Sequence, residues 1–196
     1  MNKNKTSDEK QNRVVFLKGK TTVLRPVSDN DVPLLTKWIN DPRVRRFIKS
    51  IFPRTDGFER DWVAELKKKS ETDVVLIIEV RGKAIGVMGL HRIDWKNRVG
   101  TTGAIIGEPR FWSKGYGTDA KMALLDYAFN TLNLRKIISK VKSFNERSLA
   151  YSKKCGYKVE GRLREQHFVD GKYWDEVILA VFREDWLPCW KKYMAS

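Results

Sequence analysis

The chain of 196 residues is 41% hydrophobic and 11% aromatic, enough to bury one sizeable core, with no sign of a second domain. Its 39 lysines and arginines outweigh 24 acids to give a net charge of +15, which suits polyanionic partners or, more plainly, a solvated basic surface. No apolar run approaches the roughly 18 to 20 residues that span a bilayer, and two cysteines with two histidines speak against a disulfide framework or metal site, so the cytoplasm is the expected compartment.

Residues 1–12 are polar and lysine-rich, without the apolar stretch of a signal peptide, and read as a disordered basic tail ahead of one domain over 13–196. Ser28 with Asp31 three residues on has the spacing of a capping box, and Val32, Leu35 and Ile39 form the buried side of the helix it opens. Four-residue steps through Phe58, Trp62 and Leu66 predict another helix. Val74 to Val80, an Arg81-Gly82-Lys83 turn and Ala84 to Leu90 predict a hairpin, with Val99 to Gly107 as a further strand beyond the turn at Lys96-Asn97. A helix opens near Thr118, with Ala120, Ala123, Leu124, Tyr127 and Ala128 as its packed stripe. Lys136 to Val141 is a short β-rich run. Asn145 is a good N-cap for a short helix that Gly156 ends. Strands over Gly161 to Val169 and Trp174 to Phe182 are joined through Asp170-Gly171. The sum is a single α/β (α+β) domain without internal repeats, a mixed sheet of about six to seven strands flanked by about four helices.

Between the strand ending near Gly107 and the helix near Thr118 lies Trp112-Ser113-Lys114-Gly115-Tyr116-Gly117. A lysine and two glycines at such a junction let main-chain N–H groups converge where the helix dipole favours negative charge, which makes a phosphate seat. A plain strand-to-helix turn would use glycine too. The dinucleotide fingerprint G-x-G-x-x-G and the nucleotide-hydrolase G-x-x-x-x-G-K-[ST] are both absent, so the phosphate belongs to another ligand.

The order Ile105-Ile106-Gly107, Lys114-Gly115-Tyr116-Gly117, Asn145-x-x-Ser148 and Cys155-Gly156-Tyr157 resembles the acetyl-CoA-binding half of the GNAT superfamily of N-acyltransferases. Leu24-Arg25-Pro26, Trp38-Ile39-Asn40-Asp41-Pro42, Ile85-Gly86 with Gly89-Leu90, and Phe168-Val169-Asp170-Gly171-Lys172-Tyr173-Trp174-Asp175 resemble its RimJ/RimL-like branch, which acetylates ribosomal-protein N-termini. The resemblance runs from about Thr22 to about Trp186. It implies a GNAT-like fold, acetyl-CoA as co-substrate and no metal. The pantetheine arm would lie along Ile105, Ile106 and Gly107, with an oxyanion donor from the same main chain. The pyrophosphate would sit on Trp112, Ser113, Lys114, Gly115, Tyr116, Gly117 and Thr118, and Asn145 would touch the pantetheine or serve only as a cap. Trp112 and Ser113 depart from the superfamily's usual loop, but main-chain amides do the gripping, so the seat stays usable.

Acetyl transfer to an amine needs a base for the ammonium and a donor for the departing thiolate. The branch places a base four residues before the glycine of the last turn, where this chain has His167, chemically apt although a lone histidine in a strand is more often structural. Glu108, Asp94 and Glu165 are the fallback bases. Ser148 is the first candidate for proton donor and Tyr151 the second, unless Ser148 merely occupies the helix's first turn. The acceptor implied is a primary amine, foremost a ribosomal-protein N-terminal α-amine. A polyamine, amino acid or aminoglycoside is the alternative, and a non-catalytic basic module on RNA or the ribosome the reading from another class. Trp38, Arg46, Tyr173 and Trp174 are candidate groove residues unless they are core. The expected state is a monomer or homodimer with no membrane partner.

Overall fold

The computed structural model describes residues 14–196, so the tail expected over 1–12 lies outside the described residues. Along the chain run β1 (Leu17–Lys18), β2 (Val23–Pro26), α1 (Val32–Asn40), α2 (Pro42–Arg45), α3 (Asp56–Lys68), β3 (Val74–Val80), β4 (Lys83–Asp94), β5 (Val99–Ile106), α4 (Tyr116–Asp126), β6 (Lys136–Lys142), α5 (Glu146–Lys154), β7 (Lys158–Val169), β8 (Lys172–Phe182) and α6 (Arg183–Ala195). The strands form one eight-stranded sheet in the order β1-β2-β3-β4-β5-β6-β8-β7. Every pairing is antiparallel except β5 with β6.

Strand alternation divides the core. Leu76 and Ile78 point into a large cluster with Met122, Leu125, Phe129 and Trp186, while Ile77 between them joins Val32, Leu35, Trp38 and Val63 on the other face. Thus α1 and α3 cover one side of the sheet, and α4 with α6 the other. The predicted box at Ser28 is present: the Asp31 carboxylate accepts from the Ser28 N–H at 2.8 Å and its hydroxyl at 3.0 Å.

The differences from the sequence reading have physical causes. α3 is turned by one residue, burying Glu59 and Val63 and leaving Phe58 49% exposed beneath the Arg54 guanidinium, 3.6 Å from the ring centre. α4 is buried nearly all round, Asp119 through Leu125, instead of along one stripe, because the sheet, β1 and α5 all pack on it. β1 and β2 are too short for alternation to reveal. α6 is masked by Pro188, yet it stands because Glu184 and Asp185 favour its first turn and Trp186, Trp190 and Tyr193 stack in series at 5.1 and 5.4 Å. Among the described residues six helices and eight strands therefore stand where about four and six to seven are expected.

One departure from regular sheet makes the site. β5 and β6 pair only from Val99↔Lys136 to Thr102↔Ser139. Beyond that point β5 stays with β4 as far as Gly86↔Ile106, and β6 stays with β8 as far as Lys142↔Glu176. The two central strands fork, and the facing edge of β5 from Gly103 onward keeps unpaired main-chain groups.

Candidate active site

A cleft of about 430 Å³ occupies the fork, running from the loop before α4 to His167 of β7 and Glu176 in the first half of β8. The loop at its head is shaped by two left-handed residues, Ser113 at φ 59° and Gly115 at φ 84°. Glycine suits the second position because a side chain there is strained. Gly115 is the N-cap of α4 and no side chain caps the helix. The first bond back along the helix is Asp119 N–H to the Gly115 carbonyl at 2.9 Å, so the N–H groups of Tyr116, Gly117 and Thr118 lack helical acceptors and present a positive helix end. The Trp112 indole N–H donates to the Ile106 carbonyl at 2.7 Å and ties the loop to the end of β5, and the Arg147 guanidinium lies 4.0 Å over the same ring. Asp119, the acid in the first turn of α4, is turned to other work. Its buried carboxylate accepts from the Thr22 N–H and hydroxyl at 2.8 and 2.6 Å and from the Tyr193 hydroxyl at 2.7 Å, fastening the chain's first hairpin and α6 to the start of α4.

Of the residues predicted to hold the coenzyme, Ile105, Ile106, Trp112, Ser113, Gly115, Tyr116, Gly117, Thr118 and Asn145 line the cleft. Two do not. Lys114 is exposed on the outside of the loop, and Arg147 and Lys154 are the cations that line this end instead. Gly107 gives its N–H to the Ile85 carbonyl at 2.8 Å and packs so tightly on Trp38 that a Cβ would run into the indole. The stretch open to a pantetheine amide is therefore Gly103 to Ile106, apart from the Ile106 carbonyl that the Trp112 indole holds. Asn145 caps α5 through its Oδ1, which accepts from the Ser148 N–H at 3.2 Å. Its NH₂ has no acceptor among the described residues and remains for a ligand, so the two roles are compatible.

His167 reaches the cleft because β7 is bulged. Between the pairs Leu163↔Glu176 and His167↔Trp174, β7 carries more residues than β8, and Asp175 closes the bulge by accepting from the Glu165 N–H at 2.9 Å and from Arg162 at 2.8 Å. The His167 side chain is 14% exposed, with Nε2 3.1 Å from Oε1 of Glu176, and Lys140 Nζ lies 3.7 Å from the other oxygen of that carboxylate. Glu176 is buried and lines the cleft, and the sequence reading missed it. Its only signal was an acid one position out of phase with the inward Val177, Leu179 and Val181, which places it on the opposite face of the sheet.

The fallback bases fail on geometry. Glu108 lies outside the cleft, accepting from Lys37 Nζ at 2.7 Å and the Trp38 indole at 3.2 Å, and the Lys37 ammonium holds its pKa below the ordinary range. Asp94 spends its carboxylate on the N–H and amide of Asn97, and Glu165 is exposed in the bulge. Trp38 is core, 2% exposed. Arg46 pairs with Asp170 at 2.9 Å; Trp174, on the same face of the last hairpin as His167, meets Phe144 at 5.0 Å, while the exposed Tyr173 meets Phe168 at 5.0 Å on the other face.

Ser148 and Tyr151 both line the cleft from α5. Burial pushes the Tyr151 phenol well above the ordinary tyrosine range, against a smaller downward pull from the Ser148 hydroxyl, so it is a protonated donor at neutral pH. Among the described residues the remaining charges that line the cleft are one-sided: Lys49, Lys140, Lys142, Arg147 and Lys154 face a single acid, Glu176. Among the described residues no acidic or histidine-cysteine cluster could hold a metal, and no helix is long and apolar enough to cross a membrane.

Comparison with known proteins agrees with this geometry. The model of the acetyltransferase (GNAT) domain matches residues 22–158. The chain is 28% identical over 174 residues to the SPbeta prophage-derived uncharacterized N-acetyltransferase YokL of Bacillus subtilis, covering 88% of this chain and 96% of that protein. It is 26% identical over 159 residues to spermidine N(1)-acetyltransferase of Escherichia coli, covering 81% and 79%. Among solved structures, spermidine N-acetyltransferase from Vibrio cholerae in complex with CoA and spermine superposes with a TM-score of 0.78 at 22% identity, over 85% of this chain and 98% of that one. RimJ of Mycobacterium smegmatis in complex with CoA-disulfide gives 0.79 at 19% identity, over 92% and 91%. The chain belongs to the GNAT acetyltransferase family, an enzyme family with acetyl-CoA as co-substrate.

Proposed function

We propose that this chain acetylates the α-amino group of a protein or peptide N-terminus, as in the RimJ/RimL-like branch, by direct attack in a ternary complex. The observation that carries this reading is the charge of the cleft. Its one acid among the described residues, Glu176, is already engaged by His167 and Lys140, so a polyamine's additional cations would meet lysines and arginine without a compensating carboxylate. A peptide N-terminus brings a single amine, and its apolar side chains suit the aromatic run from Phe47 in the cleft wall through Phe144 to Trp174.

In this reading the N–H groups at the start of α4, with Arg147 and Lys154, hold the pyrophosphate, and Gly103 to Ile106 pair with the pantetheine amides. His167, with its Nε2–H given to Glu176, keeps Nδ1 to take the ammonium proton. The amine attacks the thioester carbonyl, a main-chain N–H of the β5 edge stabilises the oxyanion, the nitrogen sheds its second proton as the C–S bond breaks, and the sulfur takes a proton from Tyr151, with Ser148 beside it. Phenol is preferred to the serine hydroxyl here because it is the stronger acid, and the burial that raises its pKa also raises the proton affinity of the thiolate.

Polyamine acetylation is the second reading, favoured by the 26% identity to the Escherichia coli spermidine enzyme. Mass spectrometry of a panel of peptides with free N-termini and of spermidine, each incubated with acetyl-CoA, separates the two. Acetylation at peptide α-amines with kcat/KM at least ~10-fold above spermidine is expected, and the reverse ratio refutes the peptide reading.

A further inference from the structure

Lys121 on α4 is wholly buried, at 0% exposure, and among the described residues no carboxylate pairs with it. Its Nζ donates to Thr102 Oγ1 at 2.7 Å and lies 5.2 Å from the ring centres of both Tyr151 and Tyr157. The Thr102 oxygen is also 2.9 Å from the Tyr157 hydroxyl. Thr102 is the last residue of β5 to pair before the fork, and both Thr102 and Tyr151 line the cleft. An ammonium so placed is costly, and packing alone would be served by methionine.

We propose that Lys121 is a positioning residue for thiolate departure: its ammonium holds Thr102 at the apex of the fork and sets a fixed positive charge behind the Tyr151 ring, stabilising the phenolate formed as the sulfur is protonated. This rests on Tyr151 being the proton donor. As the C–S bond breaks, the S–H bond forms and the Tyr151 O–H bond is lost; the nitrogen sheds its second proton as the amide forms, which through solvent restores the phenol, while the proton taken by His167 leaves to solvent, so one proton is released per turnover. The groups facing the ammonium are Thr102 from β5, Tyr151 from α5, and Cys155 and Tyr157 from the turn that follows. Burial pushes the Cys155 thiol up to about 12 and Tyr157 higher than free tyrosine, so both stay neutral, while burial draws Lys121 down to about 8, which places the loss of its charge within reach of a pH profile.

The test is steady-state kinetics of Lys121→Met, Tyr151→Phe and the double variant, with folding checked by circular dichroism and acetyl-CoA binding by calorimetry. Lys121→Met should lower kcat by ~30-fold or more while the acetyl-CoA Kd stays within about twofold, and the double variant should be no slower than Tyr151→Phe. The wild-type kcat should fall above pH ~8, a limb absent from Lys121→Met. If Tyr151→Phe is slow and Lys121→Met is not, the role of Lys121 is refuted and the donor stands. If neither is slow, the donor assignment itself fails, and the proposal with it. Additive losses also overturn it, since Lys121 then acts elsewhere. Should the methionine variant not fold, a wild-type kcat level from pH 7 to 10 overturns the proposal without it.

Discussion

The same lysine supports a prediction about stability that is independent of kinetics. Burial lowers the Lys121 pKa from 10.5 to about 8. At about 1.36 kcal/mol per pH unit, holding the charged form inside the protein at pH 7 withholds about 3 kcal/mol of folding stability. Lys121→Met removes that cost and loses one hydrogen bond to Thr102, worth about 1 kcal/mol, while the Thr102 oxygen keeps Tyr157. The variant should be more stable at pH 7 by about 2 kcal/mol, a rise in Tm of ~4 to 8 °C for a chain of this length. The sign of the pH dependence follows from the lowered pKa. Between pH 8 and 10.5 the unfolded chain holds the extra proton, so wild-type stability gains on the variant across that window, and above it the variant is the weaker by the lost hydrogen bond. Urea unfolding of both proteins in matched buffers from pH 6.5 to 11 measures the difference. A variant less stable than wild type at pH 7, or a gap that does not change with pH, refutes the reasoning. A gain in stability together with a loss in turnover would mark Lys121 as held for chemistry against the interest of the fold.

Other outcomes can be checked at the site. His167→Ala should lower kcat by ~10²-fold near neutral pH, and Glu176→Gln by ~10-fold, both with unchanged acetyl-CoA affinity by calorimetry; turnover at the wild-type level would discard the pair as base and orienter. Gly115→Ala places a Cβ at φ 84° and should cost about 1 to 2 kcal/mol in thermal or urea unfolding. At Gly117 a Cβ meets nothing in the protein, so Gly117→Ala should fold as well as wild type and still bind acetyl-CoA ~10-fold more weakly; equal affinity would show that the ligand does not approach this face. Burial raises the Asp119 pKa, but hydrogen bonds from Thr22, Tyr193 and the Thr21 N–H outweigh it and hold the carboxyl below its ordinary range. Asp119→Ala should therefore cost about 3 kcal/mol at pH 7, with the gap to wild type closing as pH falls through the carboxylate range; a gap constant down to pH 2 would contradict this.

Much of the coenzyme half was legible because its determinants are local. The Ser113 and Gly115 turn, the uncapped start of α4 and the Asn145 cap each depend on residues within a few positions of one another, and short spacings carry that information directly. The Asp170-Gly171 turn fixed where the last hairpin folds back, and hence that His167 enters the cleft from β7. Legibility failed where a side chain's partner lies far away in sequence. Glu108 looked usable beside the pantetheine strand, but Lys37 and Trp38 of α1 claim it. Gly107 looked like ligand-binding backbone, but it is the floor on which Trp38 packs.

By itself, then, the sequence determined the family, the turn and uncapped start at the head of α4, the cap of α5 and the turn that returns β8, the local features all through contacts between near neighbours. Only the tertiary structure decided the fork, because whether β5 and β6 part after Thr102 depends on β4 and β8 each holding one of them. It also joined Glu176 to His167 across a bulge and sealed Lys121 beneath the apex. Periodicity can say that a position faces inward, but it cannot say whether the interior there is oil, a carboxylate or the wall of a cleft.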